Sequence, residues 1–306
     1  MPVPILLVVG FLGAGKTTVV NHLLAHANGL RIAALVNDFG AINIDAALIQ
    51  GASDGVISLA NGCICCTLEG DLLRTLATLM RRTPPPEAII IETSGIADPA
   101  DIVRNLMDPV IFQAASLETV LCVIDTTAPL ADPLLRAQLA AADLVALSRT
   151  DLADPATTAQ TRRTLTRLHP KAIVLEAPHG QVPLDLLFTQ TQPSSRTPGR
   201  RRPVSDRFES FSWTSDHPIS LPKLQHAIGQ LAPRLARAKG LFEPDDQPGR
   251  RLQFHLAGGR ATLAQAGTTE PGTPLSQMVF IAEIGAMTAN DIDVAMDKAV
   301  KQARLF

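Results

Sequence analysis

The sequence predicts an α/β protein: a doubly wound, mostly parallel sheet, followed by a second, smaller α+β domain. Three observations predict it. Short apolar runs alternate with longer amphipathic stretches over the first two thirds of the chain. A glycine-rich turn joins the first such run to the first helical stretch. Near Phe188 the alternation stops at a segment of linker composition.

The strands come first. Ile5 to Val9, Arg31 to Val36, Ala88 to Ile91, Thr119 to Ile124, Leu144 to Leu147 and Ala172 to Leu175 are short and nearly all apolar, as strands are when helices cover both faces of a parallel sheet. Between them Thr17 to His26, Leu68 to Arg82, Pro133 to Ala142 and Pro155 to Leu168 read as helices. The linker, Gln190 to Pro203, gathers Thr, Gln, Ser, Pro and Gly with Arg200, Arg201 and Arg202, and reads as a solvated hinge. Beyond it Phe208 to Trp213, Leu252 to Leu256, Arg260 to Ala264 and Met278 to Ile284 read as strands, with helices over Leu221 to Leu231 and Asn290 to Arg304. The expected organisation is therefore a first domain at 1–189, a linker at 190–203 and a second domain at 204–306.

Bulk properties narrow the function classes. At 306 residues the chain exceeds what one hydrophobic core usually organises. With 46% hydrophobic and 18% charged residues it can bury enough apolar surface to fold throughout. A net charge of -2 gives no general attraction to nucleic acid or anionic lipid, so any anion it binds is held by a local site. Met1 to Val9 has no basic leader, and no apolar stretch reaches the roughly 18 residues of a spanning helix. The expectation is a soluble, cytoplasmic protein with neither nucleic acid nor membrane as partner.

The strongest local signal is Gly10-Phe11-Leu12-Gly13-Ala14-Gly15-Lys16-Thr17, which fits G-x-x-x-x-G-K-[ST] between a predicted strand and helix. This is the phosphate-binding loop of a P-loop nucleoside triphosphatase. Its glycines let backbone N–H groups turn inward, the helix beginning at Thr17 and Thr18 presents its positive end, and Lys16 reaches the terminal phosphates. The Thr17 hydroxyl is a Mg²⁺ ligand. Such a site needs a carboxylate near the metal: Glu92, at the end of the Ala88 strand, fills that role, and the Gly95 amide can meet the γ-phosphate.

Ser148-Arg149-Thr150-Asp151 follows the Leu144 strand at the place of the guanine-reading N-K-x-D segment. Asp151 can accept two hydrogen bonds from guanine, and the Arg149 guanidinium can stack on a base. Ser148 in place of Asn weakens the preference for guanine and leaves adenine open.

Cys63, Cys65 and Cys66 form C-x-C-C just before a predicted helix. A nearby helix N-terminus lowers thiol pKa, and three thiolates plus one more donor suit a tetrahedral Zn²⁺ site. A redox cluster and plain buried residues are the alternatives. Cys122, inside an apolar strand, and the lone Trp213 read as core. His22 and His26 have a spacing that can chelate metal, but no Glu follows His22, and they read as helix surface; His179 reads as a turn residue.

Taken together, these segments resemble the CobW-like metallochaperone GTPases, relatives of the accessory GTPases that load nickel into urease and hydrogenase. The resemblance is carried by Gly10 to Thr18, by Val36-Asn37-Asp38-Phe39-Gly40 with Asp45, by Asn61 to Cys66, by Glu92-Thr93-Ser94-Gly95 with Ala97-Asp98-Pro99, and by Asp151. Arg237-Ala238-Lys239-Gly240 and Val279-Phe280-Ile281 extend it into the second domain. It implies GTP hydrolysis with Mg²⁺, Asp38 in a catalytic switch segment, Zn²⁺ or another transition metal such as Co²⁺ at Cys63, Cys65 and Cys66, and delivery to a client metalloprotein. A homodimer is compatible with it. Asp38 stands where the family usually has Glu, and Ser148 and Arg149 where it has Asn and Lys. The different roles it leaves open are a GTPase accessory to cobalamin metabolism and a non-catalytic regulator; a P-loop kinase would leave the cysteines and Asp151 unused.

Overall fold

A computed structural model describes residues 2–27, 29–36, 56–58, 72, 74–108, 111, 114–188, 202–203, 208–257, 260–268 and 273–300. The chain divides into two compact units, Pro2–Phe188 and residues 189–306.

The first unit is built on a seven-stranded sheet: β1 Val3–Val9, β2 Ile32–Val36, β3 Val56–Ser58, β4 Ala88–Glu92, β5 Ala115–Asp125, β6 Leu144–Ser148 and β7 Ile173–Glu176. Their spatial order is β3-β2-β4-β1-β5-β6-β7 and every pairing is parallel. β1 is central, flanked by β4 and β5, so the chain runs to one side and then returns past it to the other. Ligands bind such sheets at the carboxyl ends of the strands beside that reversal. The apolar strands are apolar because both faces are covered: all of β4 and β6 is buried. One side packs Ile5, Leu7, Val9, Ile89 and Ile91 against Leu76, Leu79, Ile102, Leu106, Leu135 and Leu139.

Helices α1 Lys16–Ala25, α2 at 74–80, α3 Pro99–Leu106, α4 Pro133–Ala140, α5 Pro155–Leu168 and the single turn α6 Leu184–Leu187 connect the strands. Three of them begin the same way. Asp98, Asp132 and Asp154 are N-caps followed by proline, and their carboxylates accept the Ala100, Leu134 and Thr157 backbone N–H groups at 2.9, 2.8 and 2.9 Å. The aspartate satisfies a donor the helix itself cannot, and proline occupies a position where a missing N–H costs nothing. The sequence reading placed helices at α4 and α5 and did not place α3. It also stopped the fifth strand short: β5 begins at Ala115, four residues before the expected start.

The second unit is a six-stranded antiparallel sheet in the order β12-β11-β10-β13-β9-β8. Its strands are β8 Arg202–Pro203, β9 Phe208–Ser215, β10 Leu235–Phe242, β11 Arg250–Ala257, β12 Arg260–Thr268 and β13 Ser276–Glu283. Helices α7 Leu221–Leu231 and α8 Ala289–Asp297 cover one face, closing a core of Phe211, Trp213, Leu224, Ile228, Phe242, Phe280, Ile292 and Met296. Trp213 is thus core, as read from sequence. Four strands were expected here and six are present among the described residues. The last two residues of the expected linker pair with Ser210 and Glu209 as β8, and β10 sits in the middle of the sheet between β11 and β13. The final helix ends at Asp297 instead of running to Arg304, because Val300 turns back to bridge Ile219. No helix among the described residues is long and apolar enough to cross a membrane.

Candidate functional site

The site assembles where β1, β4, β5, β6 and β7 end. After Val9 the chain turns through Gly10 to Gly15 and enters α1 at Lys16. Gly15 caps the helix in a left-handed conformation, φ 96°. Ala14 is buried, whereas Phe11, Leu12 and Gly13 face outward. Lys16 is only 7% exposed: its ammonium folds back over the turn and donates to the Phe11 carbonyl at 3.2 Å. A cation is therefore stored inside a ring of backbone, beside the N–H groups that open α1. Thr18 sits exposed at the helix start.

One residue earlier in the same helix turn, the Thr17 hydroxyl donates to Glu92 Oε1 at 2.9 Å. Glu92 is 1% exposed and closes β4, opposite Val8 of β1 and Val36 of β2. Parallel pairing is what brings together two residues 75 positions apart. A hydroxyl and a carboxylate at this spacing beside a phosphate-type loop are the hard oxygen donors Mg²⁺ takes, so the residues present fit that ion.

After Glu92 the chain passes under the loop. A Cβ added to Gly95 would lie 2.5 Å from the Leu12 backbone nitrogen, so only glycine allows this approach. Gln138 of α4, fully buried, donates to the Gly95 and Ala97 carbonyls at 3.4 and 3.2 Å and holds the segment in place. Sequence reading missed Gln138. Its only signal was a polar residue on the inward face of an amphipathic helix.

On the other side Ser148, ending β6, donates its hydroxyl to the Ala14 carbonyl at 2.6 Å. Arg149 adopts a left-handed backbone, φ 55°. Its guanidinium bonds Asp125 Oδ2 at 2.6 Å and the Gly13 carbonyl at 2.9 Å. The two residues that depart from N-K therefore brace the turn from behind, one through each of two consecutive carbonyls. Ser148→Ala is expected to destabilise the fold by about 1–2 kcal/mol, since it removes a buried hydrogen bond. Urea denaturation checks this, and a midpoint equal to wild type would contradict it.

Asp151 lies beyond, its carboxylate 4.0 Å from His179 Nδ1. His179 has φ 52° and belongs to a short 3₁₀ turn, Pro178–Gly180, that packs on the start of α1 through Gly180 and the Thr18 carbonyl. His179 was read as a turn residue; it is one, and it also neighbours the predicted base-reading aspartate. Cys122 lies fully buried, and burial pushes its thiol up to about 12, so it offers no thiolate. The predicted site residues Asp38, Cys63, Cys65 and Cys66 lie outside the described residues. Of the others, Gly10, Gly13, Ala14, Gly15, Gly95, Arg149 and Asp151 lie on loops, Lys16, Thr17 and Thr18 in the first turn of α1, and Glu92 and Ser148 at the ends of β4 and β6.

Both units match known families. The CobW/HypB/UreG nucleotide-binding domain matches residues 4–176, and the cobalamin synthesis protein cobW C-terminal domain matches residues 208–300. The zinc chaperone CobW of Pseudomonas aeruginosa is 35% identical over 221 residues, covering 60% of this chain and 59% of that protein. The chain thus spans about three fifths of that relative's length. The zinc chaperone YjiA of Escherichia coli is 31% identical over 306 residues, covering 92% of this chain and 94% of YjiA. A crystal structure of Zn(II)-bound YjiA GTPase from E. coli aligns with 98% of this chain and 100% of its own, at 25% identity and TM-score 0.49. With both of its units matched, the chain belongs to the CobW/HypB/UreG family of nucleotide-binding proteins.

Proposed function

We propose that this protein is a Mg²⁺-dependent GTPase whose nucleotide state governs a transition metal, Zn²⁺ foremost, held by Cys63, Cys65 and Cys66 and passed to a client metalloprotein. The single observation that carries the nucleotide half is the Thr17–Glu92 hydrogen bond at 2.9 Å beside the folded-back Lys16 ammonium. The residues are already paired where β- and γ-phosphate oxygens would lie.

A triphosphate entering the loop replaces the Phe11 carbonyl as the partner of Lys16. The ammonium then meets developing charge on the γ-phosphoryl group, in a setting that is 7% exposed and so poorly screened. Bound Mg²⁺ would neutralise phosphate oxygens and would be held by Thr17 and, with it, Glu92. Gly95, pressed against the Leu12 backbone, is close enough to the turn for its N–H to sense whether a γ-phosphate is present. Asp151 would read the base, with Arg149 and Ser148 keeping the turn's outer carbonyls fixed.

The metal half rests on the C-x-C-C segment and on the printed names of the relatives, which are zinc chaperones. Asp38 and the cysteine segment both follow strands that lie beside Glu92 in the sheet, β2 directly and β3 one strand further. The cytoplasm is the compartment that suits free thiolates of this kind. Anaerobic purification followed by metal analysis tests the assignment. Wild type is expected to retain about one equivalent of zinc and Cys65→Ala to lose most of it, since three thiolates carry a structural-type site. Equal zinc in the two proteins would defeat the cysteine assignment and leave the nucleotide half standing.

A further inference from the structure

Residues 92–98 lead from the carboxylate that meets Thr17 to the N-cap of α3, and hydrogen bonds fix them along the way. The Thr93 N–H donates to the Val8 carbonyl at 3.0 Å, which ties the segment to β1. The Ala97 N–H donates to the Ser94 carbonyl at 3.1 Å and closes a tight turn with Gly95 and Ile96 at its corners. The remaining restraint comes from another element, α4. Its Gln138 side chain is 0% exposed, and Nε2 donates to the Gly95 and Ala97 carbonyls at 3.4 and 3.2 Å.

The Ser94–Ala97 turn is thus gripped from two sides. On one, Gly95 lies so close to the phosphate loop that an added Cβ would stand 2.5 Å from the Leu12 nitrogen. On the other, a single side-chain amide holds two of the turn's carbonyls. Glycine by itself is free in both backbone angles, so the direction of the Gly95 N–H is set by whatever holds the atoms around it. Gln138 Oε1 is buried and has no hydrogen-bond partner among the described residues, a cost set against two long bonds. Little net stability follows, and position is what the amide supplies.

We propose that Gln138 is a positioning residue for triphosphate recognition: by fixing the Gly95 and Ala97 carbonyls it aims the Gly95 N–H at the γ-phosphate, and so sets how strongly the site tells GTP from GDP. The proposal rests on the GTPase reading above. Gly95 has a phosphate oxygen to meet only when the γ-phosphate is present. Loosening the turn therefore weakens triphosphate binding and spares the diphosphate, which the phosphate loop and Lys16 hold without it. The same N–H faces charge that develops on the γ-phosphoryl group, so turnover falls along with affinity.

Titration of the full chain with Mg²⁺–GDP and with a Mg²⁺-bound non-hydrolysable GTP analogue gives the ratio of the two affinities. Gln138→Met, similar in length and without polar hydrogens, should weaken the analogue roughly tenfold, equivalent to about one or two neutral hydrogen bonds, and leave GDP unchanged. Gln138→Asn, still an amide but one methylene too short to reach both carbonyls, should show the same selective loss. Leu139→Ala is the control for a purely structural role. Leu139 is the next residue of the same helix and is buried, so its truncation should lower the melting temperature while the affinity ratio stays at the wild-type value. An unchanged ratio in either folded Gln138 variant, or an equal shift in Leu139→Ala, would overturn the proposal and leave the GTPase reading intact. A wild-type chain that bound neither nucleotide would remove that reading and the proposal together.

Discussion

Lys16→Ala should lower GTP turnover by roughly 10²–10³-fold, the cost of removing one preorganised charge from a developing oxyanion, with little change in melting temperature. The reasoning starts from where the side chain sits. It is 7% exposed and aimed into the turn, donating to the Phe11 carbonyl at 3.2 Å. Its ammonium faces the turn, so its removal subtracts charge from the phosphate site. The effect on stability should also be small because a desolvated ammonium is costly to bury in the first place. Single-turnover hydrolysis at saturating Mg²⁺–GTP, alongside a thermal melt, separates the two. A variant that hydrolyses at the wild-type rate would move the chemistry away from this loop altogether.

Gly10→Ala, six residues earlier, should do the reverse and cost the fold itself. Gly10 has φ 145°, and a Cβ there would lie 2.3 Å from the Val123 carbonyl oxygen and 3.2 Å from its carbon and nitrogen. Val123 belongs to β5, whose preceding residue Cys122 pairs with Val9. The methyl group can be accommodated only by opening the β1–β5 pairing or by shifting the turn, and both carry the phosphate site with them. Strain of about 1–3 kcal/mol from the backbone adds to about 1–3 kcal/mol from the clash. Against a total stability of about 5–15 kcal/mol, that is a large share. Chemical denaturation of the variant, with nucleotide binding measured on the surviving folded fraction, checks this. Wild-type stability would contradict the packing described here.

Much of this architecture was legible from the residues, for identifiable reasons. β1, β4 and β6 are apolar without alternation because both faces are buried, and a parallel sheet follows from that alone. Pro133 to Ala142 and Pro155 to Leu168 were read as helices and are α4 and α5; α3, eight residues opened by Asp98-Pro99, was not read as a helix although its apolar residues share one face. β10 was hidden by its composition. Alanine, glycine, arginine and lysine have weak strand preference, yet Gly240 is required there, since a Cβ would lie 2.4 Å from the Met278 side chain across the strand pair. Position in the sheet, not propensity, makes Leu235–Phe242 a strand.

The candidate site divides in the same way. Lys16, Thr17 and Glu92 were singled out because one motif and one strand end specify them, and the fold brings them together. Gln138 was not, because its role is to hold two carbonyls from a helix more than 40 residues away, and nothing local encodes that. Arg149 and Ser148 looked like defects in a base-reading segment; in the fold they bond the Gly13 and Ala14 carbonyls. Their side chains are spent on the loop, whereas Asp151, proposed to read the base, lies beside His179.

Coupling between the two halves of the proposed activity comes down to one comparison. Zn²⁺ affinity of the wild-type chain, measured by titration with a non-hydrolysable GTP analogue and again with GDP, should differ between the two nucleotides by about 5–150-fold, the range of an ordinary coupling free energy. Identical affinities in the two states would mean that the phosphate loop and the cysteines do not communicate, and that a nucleotide-governed metal carrier is the wrong description of this protein.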